Sequence, residues 1–228
     1  MRLVLFDVDG TLCLTGGAGG RAMTIAFEEV FGVPDGFAGI PMPGRTDQII
    51  LADAIRRLAR DADPTLEARF RERYVFNLRN EVLKPGRGRN GVMPGIRELL
   101  DALDVRGDIL LGLVTGNYLA GARIKLEHFG LWRYFRFGAF GDDAHERNEL
   151  VPIAVERARE CGIRDLPPDR VIVIGDTPLD VACARAAGAR AIAVATGSSK
   201  AGELRQSGAD VVFEDLSNTA KVLGAILS

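Results

Sequence analysis

The sequence predicts an α/β fold: a doubly wound parallel sheet, Rossmann-like, with a smaller all-helical unit inserted after its first strand. Three observations carry this. A short apolar run, Leu3-Val4-Leu5-Phe6, leads directly into two acidic residues. From Pro94 onward, helical and apolar-strand patterns alternate, which is the signature of a parallel sheet with crossover helices. Between them, residues 15–91 show helical spacing, no convincing strand from Leu14 to Lys84, and a glycine-rich segment at each end. The expected division is a core of 1–14 and 92–228 and a helical unit of 15–91 that includes both joints.

Taken in order, Leu3–Phe6 reads as a buried strand, and Asp7 and Asp9 follow at alternate positions before the turn residues Gly10-Thr11. Two carboxylates thus meet at the carboxyl end of a strand, the edge where open α/β sheets bind ligands. Like charges so close resist joint ionisation unless a cation lies between them, so the first reading is a metal-dependent acidic site. Residues 15–20 (TGGAGG) read as a flexible joint rather than a phosphate cradle, since no strand–glycine loop–Lys pattern follows. Apolar spacing then predicts helices over Arg21–Phe31, Thr46–Arg60 and Pro64–Leu83. The second joint runs from Lys84 to Gly91. Its Gly86, Gly88 and Gly91 have G-x-G-x-x-G spacing, but no strand precedes them, so a hinge is expected. Glycine at both joints suits a moving cap.

In the remainder, helices are expected at Pro94–Leu103, Leu119–Phe129, Glu149–Cys161, Leu179–Ala187, Lys200–Ser207 and Leu216–Leu227. Strands are expected at Ile109–Val114, Val171–Ile174, Ala191–Val194 and Asp210–Phe213, with a weaker one around Phe135–Phe140.

Composition excludes several classes of function. The 228 residues are 47% hydrophobic and 26% charged with net charge −2, which gives no electrostatic grip on nucleic acid or an anionic membrane. No apolar run approaches the roughly 18 residues of a membrane span. Two Asp interrupt the first apolar run before a secretory signal core forms. Cys13, Cys161 and Cys183 are an odd count without paired spacing and read as reduced thiols, so a cytoplasmic location is expected.

Three core strands end in polar residues at one edge: the first in Asp7 and Asp9, the second in Thr115, the third in Asp176 with Asp180 soon after. Each Asp taken singly can be read as a helix N-cap, and for Asp180 that reading weighs evenly, but their convergence points to a site. These residues carry a resemblance. Asp7-Val8-Asp9-Gly10-Thr11, then Thr115-Gly116-Asn117, then Gly175-Asp176-Thr177-Pro178-Leu179-Asp180 resemble, in that order, the motifs of the haloacid dehalogenase superfamily of phosphohydrolases. The helical insertion resembles that family's C1 cap, and the resemblance spans essentially the whole chain.

The resemblance implies a Mg²⁺-dependent phosphatase of a small-molecule phosphate ester, similar to phosphoglycolate phosphatases. Asp7 would be the nucleophile that forms an aspartyl-phosphate, and Asp9 the general acid and then base. Thr115 with the backbone of Gly116 and Asn117 would bind the transferring phosphoryl group. Asp7, Asp176 and the Asp9 carbonyl would hold Mg²⁺, with Asp180 supporting the metal loop. The family's usual Lys ahead of the third motif has no counterpart, because the four lysines are Lys84, Lys125, Lys200 and Lys221. Arg147 is the substitute expected, a solvated Arg at a helix start being the alternative. His145 reads as a loop residue, while Asp142 and Asp143 either rim the site or cap a helix. Arg45, in Gly44-Arg45-Thr46-Asp47, either meets an anionic substrate group or belongs to a box in which Thr46 or Asp47 opens a cap helix. Asp9 disfavours a dehalogenase, and the absence of Lys from residues 1–83 disfavours a phosphonatase. A β-phosphoglucomutase-like phosphomutase stays open, as does, from another class, a phospho-receiver module.

Overall fold

The first strand, β1 (Arg2–Phe6), is central in a six-stranded parallel sheet of order β5-β4-β1-β6-β7-β8. The computed structural model describes residues 1–59, 63–162 and 165–228. The other strands of the sheet are β4 (Ile109–Val114), β5 (Gly138–Ala139), β6 (Val171–Gly175), β7 (Arg190–Val194) and β8 (Val211–Phe213). Because β1 pairs with β4 on one side and β6 on the other, the chain reverses its direction of travel across the sheet beside β1. A crevice opens at the carboxyl ends of strands at such a reversal.

Alternation along β1 supplies both faces of the core. Val4 and Phe6 pack with Leu99 and Leu100 of α4 (Ile96–Asp104), Leu126 of α5 (Leu119–His128) and Ile226 of α9 (Thr219–Leu227). Leu3 and Leu5 pack with Val151 of α6 (Leu150–Glu160), Val181 of α7 (Pro178–Ala186) and Leu204 of α8 (Ala201–Gln206). Side chains one apart on a strand point to opposite faces, so a two-sided sheet needs an unbroken apolar run. The expected strand around 135–140 contracts to Gly138–Ala139.

The helical unit comprises α1 (Ala18–Phe31), α2 (Asp47–Arg57) and α3 (Pro64–Glu81). Phe27, Phe31, Phe37, Ile50, Ile55, Phe70 and Leu78 form a core of their own, which Tyr118 of the sheet domain joins. Asp63 caps α3 by accepting from the Thr65 amide at 2.8 Å. The helix expected over Thr46–Arg60 ends at Arg57, and Arg60 itself lies outside the described residues.

Two expectations about the joints are corrected. Cys13–Thr15 is a strand, β2, paired antiparallel with β3 (Asn90–Val92), so a short ribbon ties the start of the first joint to the end of the second. Gly19 and Gly20 belong to the first turn of α1 rather than to the joint. Where the joints cross, a Cβ on Gly86 would lie 2.0 Å from the Gly16 carbonyl oxygen, so glycine there permits close approach of two backbones. Three-residue strands with a partner far along the chain leave no local periodicity to read.

The helical unit meets the sheet domain through polar contacts at the start of α2. Thr46 is its N-cap, accepting from the Ile49 amide at 3.3 Å and donating to the His145 carbonyl at 2.7 Å. The Asp47 amide donates to the Gly116 carbonyl at 2.7 Å, and Asp47 Oδ2 accepts from the Tyr118 amide at 2.8 Å. Burial pushes the Asp47 carboxyl up to about 7, against the opposing pull of Lys125 and the Tyr118 amide. A folded-state value above the ordinary carboxylate value means that stability is full below pH about 4 and declines as the pH rises through 7. Asp47→Asn keeps an acceptor for Tyr118 without the charge. Urea unfolding across pH 4–8 is therefore expected to show a shallower loss of stability for Asp47→Asn than for wild type; parallel curves would contradict this.

Candidate active site

The site lies where β1, β4 and β6 end. Asp7 continues the β1 ladder, its amide donating to the Ile174 carbonyl at 2.9 Å, and the residue is only 5% exposed. The chain then folds back tightly, with the Leu12 and Cys13 amides donating to the Val8 carbonyl at 2.9 and 3.1 Å. Gly10 has φ 84°, and a Cβ there would lie 2.5 Å from Asp176 Oδ2. A Cβ on Gly197 would lie 1.7 Å from the same oxygen. Asp176 thus sits in a slot that two glycines leave open, and Thr11 Oγ1 donates to its Oδ1 at 3.1 Å.

Carboxylate oxygens of Asp7, Asp176 and Asp180 lie within 4.8 Å of one another, all three buried. Burial pushes the Asp7 carboxyl up to about 6 despite the pull of Arg147. Burial, reinforced by the charges of Asp180 and Asp7, holds Asp176 well above the usual carboxylate range. If all three ionise, one guanidinium leaves a surplus of two negative charges, which a divalent cation would balance. The residues therefore fit the Mg²⁺ that the resemblance implies.

That guanidinium is Arg147. It opens a short 3-10 turn (Arg147–Glu149) ahead of α6 and is 7% exposed, so it is not a solvated surface charge. Its Nη2 donates to Asp7 Oδ1 at 3.0 Å and also to Asp180 Oδ1, while Nη1 donates to the Gly44 carbonyl of the helical unit at 3.0 Å. Burial alone would depress its pKa, but the charges of Asp180 and Asp7 outweigh that and keep it protonated. Asp180 caps α7: its Oδ2 accepts from the Thr177 amide at 2.9 Å and from Thr177 Oγ1 at 2.7 Å. With Oδ1 given to Arg147, Asp180 orients its neighbours.

Thr115 is fully buried at the end of β4, and its Oγ1 accepts from Asn117 Nδ2 at 2.8 Å. Gly116 lies against the helical unit, where a Cβ would sit 2.1 Å from the Arg45 carbonyl oxygen. Asn117, expected with the phosphate-binding turn, spends its side chain on protein groups. Besides Thr115, its Nδ2 donates to Asp9 Oδ2 at 2.8 Å and its Oδ1 accepts from Lys125 Nζ at 2.6 Å. Arg45 borders the cavity, but its guanidinium donates to Asp53 Oδ2 at 2.6 Å and to the Pro41 carbonyl at 3.0 Å. Asp142 forms an ion pair with Arg71 at 3.0 Å, and Asp143 accepts from the Phe140 amide at 2.9 Å.

Two residues at the site escaped sequence reasoning. Lys125 Nζ donates to Asp9 Oδ2 at 2.6 Å, and Asp47 is buried across the joint with the helical unit. A signal for Lys125 was present: Gly121, Ala122, Lys125 and Leu126 form the buried stripe of α5 behind its buried N-cap residue Tyr118, and a Lys on such a stripe needs a buried anion.

These groups border a cavity of about 500 Å³ between the two units, with Asp7, Asp9 and Thr115 on its floor. Met23, Met42, Ile50 and Tyr74 face them from the helical unit.

The chain is similar in sequence and in fold to known proteins. The chain is 29% identical to a phosphoglycolate phosphatase of Rhodospirillum rubrum, with 98% of this chain and 91% of that protein covered. It is 28% identical to a phosphoglycolate phosphatase of Chromobacterium violaceum, covering 95% and 93%. A hydrolase from Pseudomonas syringae superposes over 100% of both chains with a TM-score of 0.71 at 22% identity. CbbY from Rhodobacter sphaeroides, solved with phosphate, covers 96% of both chains with a TM-score of 0.67 at 22% identity. The model of the haloacid dehalogenase-like hydrolases matches residues 1–188, and with strand ends, helical insertion and acidic cluster in their places the chain belongs to that family.

Proposed function

We propose that the protein is a Mg²⁺-dependent phosphatase that hydrolyses a small phosphorylated metabolite through an aspartyl-phosphate on Asp7. The observation that carries this reading is the buried Asp7–Asp176–Asp180 cluster beneath a cavity that also presents Asp9 and Thr115. The likeness to phosphoglycolate phosphatases supports a small ester, and family membership sets the receiver module aside.

In this reading the Asp7 and Asp176 carboxylates and the Asp9 carbonyl would hold Mg²⁺, whose charge would let an anionic nucleophile approach an anionic phosphate. An Asp7 carboxylate oxygen bonds to phosphorus as the bond to the leaving oxygen breaks, and Asp9 gives that oxygen its proton. Thr115, with the amides of Gly116 and Asn117, stabilises the charge on the transferring phosphoryl oxygens. Water then attacks the phosphoryl group, Asp9 takes the water's proton, and the bond to Asp7 breaks to release phosphate. Arg147 keeps Asp7 ionised and fixes its position, the task for which the family pattern supplies a Lys. The helical unit, residues 15–91, acts as a cap that shields the phosphoryl group from bulk water.

Purified protein is expected to hydrolyse p-nitrophenyl phosphate with Mg²⁺, to lose activity in EDTA and to regain it on Mg²⁺ addition. Asp7→Asn should lower kcat by about 1,000-fold or more. Full activity of Asp7→Asn, or turnover indifferent to Mg²⁺, would refute the reading. A panel of phosphorylated metabolites including 2-phosphoglycolate would then identify the substrate. For Arg147, Arg147→Ala should cost about 3–5 kcal/mol of stability, because it strands buried carboxylates. Its kcat should fall by about 100-fold or more, with Arg147→Lys intermediate, since a point charge cannot bridge Asp7, Asp180 and Gly44. An Arg147→Ala protein as active as wild type would show that the clamp is dispensable.

A further inference from the structure

The two catalytic carboxylates do not share a cation. Arg147 serves Asp7, while Asp9 has Lys125, which projects from the buried stripe of α5. The Lys125 side chain is 5% exposed and that of Asp9 39%, so the ammonium stands behind the carboxylate, in the wall of the cavity. Its environment leaves it little freedom. A Cβ on Gly19 of α1 would lie 3.3 Å from Nζ, which places the first turn of that helix directly over the amine. Nζ donates to Asp9 Oδ2 and to Asn117 Oδ1, both at 2.6 Å, and Asn117 Nδ2 closes the triangle onto Asp9 Oδ2 at 2.8 Å. Burial alone would depress the Lys125 pKa, but the nearby Asp9 and Asp47 charges and the hydrogen bond to Asp9 reverse that. The result is a charge-assisted pair with a second donor on the same oxygen, the kind of contact that fixes a carboxylate rotamer.

We propose that Lys125 is the positioning residue of Asp9. With Asn117 it pins Oδ2 against the wall of the cavity, so that Oδ1, the oxygen left free to carry the proton, faces the leaving group and does not turn toward Arg147 and the metal-binding acids. This rests on the reading above, in which Asp9 protonates the leaving oxygen. It extends that reading to a residue outside the three motifs.

Proton donation matters most for an alkoxide leaving group and least for p-nitrophenolate, which departs as an anion. Misplacing Asp9 therefore has a signature that general loss of structure lacks. In Lys125→Met, kcat/KM for n-butyl phosphate should fall by about 100-fold, within the range for general acid catalysis, and for p-nitrophenyl phosphate by about 10-fold or less. The fall should lie in kcat rather than KM. Asp9→Asn should show the same bias, and the double variant no greater bias than Asp9→Asn alone. Equal losses for both esters, or a change confined to KM, would overturn the proposal while leaving the phosphatase reading intact. A wild-type protein that turns over neither ester would instead overturn the phosphatase reading.

Should Lys125→Met not fold, Lys125→Gln carries the same comparison. An independent check uses the folded Asp9→Asn protein. With ¹⁵N-labelled lysine there are only four side-chain ammonium signals, and Asp9→Asn should shift that of Lys125 while leaving the other three in place. An unmoved Lys125 signal would show that the contact is absent.

Discussion

Three carboxylates confined within 4.8 Å of one another, away from water, are the constraint on which the rest of this structure depends. Their mutual repulsion is strong at low local dielectric, and each loses hydration on burial. The fold meets this in several ways at once. Parallel pairing of β1 with β6 brings Asp7 and Asp176 to the same edge. Glycine at 10 and 197 leaves room for the Asp176 carboxylate, which a Cβ at either position would strike. Arg147 bridges two of the acids, and Asp180 is further held by the amide and hydroxyl of Thr177. With all three acids ionised, a surplus of two negative charges remains.

The same guanidinium ties the site to the helical unit. Arg147 Nη1 donates to the Gly44 carbonyl, and a Cβ on Gly44 would lie 2.6 Å from Thr177 Oγ1. Gly116 fits equally closely beneath Arg45. Backbone from the helical unit therefore touches two of the three motif loops, and it does so at glycines, where nothing larger would allow the approach. The cavity left between the units has Met23, Met42, Ile50 and Tyr74 on the helical side, along with Arg45 and Asp47, and the acidic cluster opposite. Asp53 and the Pro41 carbonyl occupy the Arg45 guanidinium.

Much of this was legible in the sequence because it is local. Unbroken apolar runs mark strands buried on both faces, and carboxylates directly after such runs mark strand ends, so Asp7, Asp9, Thr115 and Asp176 could be named before any geometry. Arg147 was reachable through the gap left by a missing lysine. What stayed hidden depends on contacts across the chain. The β2–β3 ribbon joins three-residue strands with no periodicity of their own, and Gly19 and Gly20 look like a joint until packing makes them helix. Lys125 looks like an ordinary surface charge unless one knows which helix face it occupies, and Asp47 reads only as a residue that opens a helix. Asn117 was expected to offer its backbone to phosphate, and that its side chain also braces Asp9 and Lys125 shows only once the three are brought together.

The central claim is that the acid cluster exists to let Asp7 attack phosphorus. The most direct test is rapid acid quench of the protein during turnover of a phosphate ester with Mg²⁺, followed by peptide mapping of any phosphoryl group. The account predicts an acid-stable, base-labile phosphoryl group on the peptide containing Asp7, absent from Asp7→Asn. Turnover without any phosphoenzyme under conditions that slow its hydrolysis, or a phosphoryl group on another residue, would contradict it.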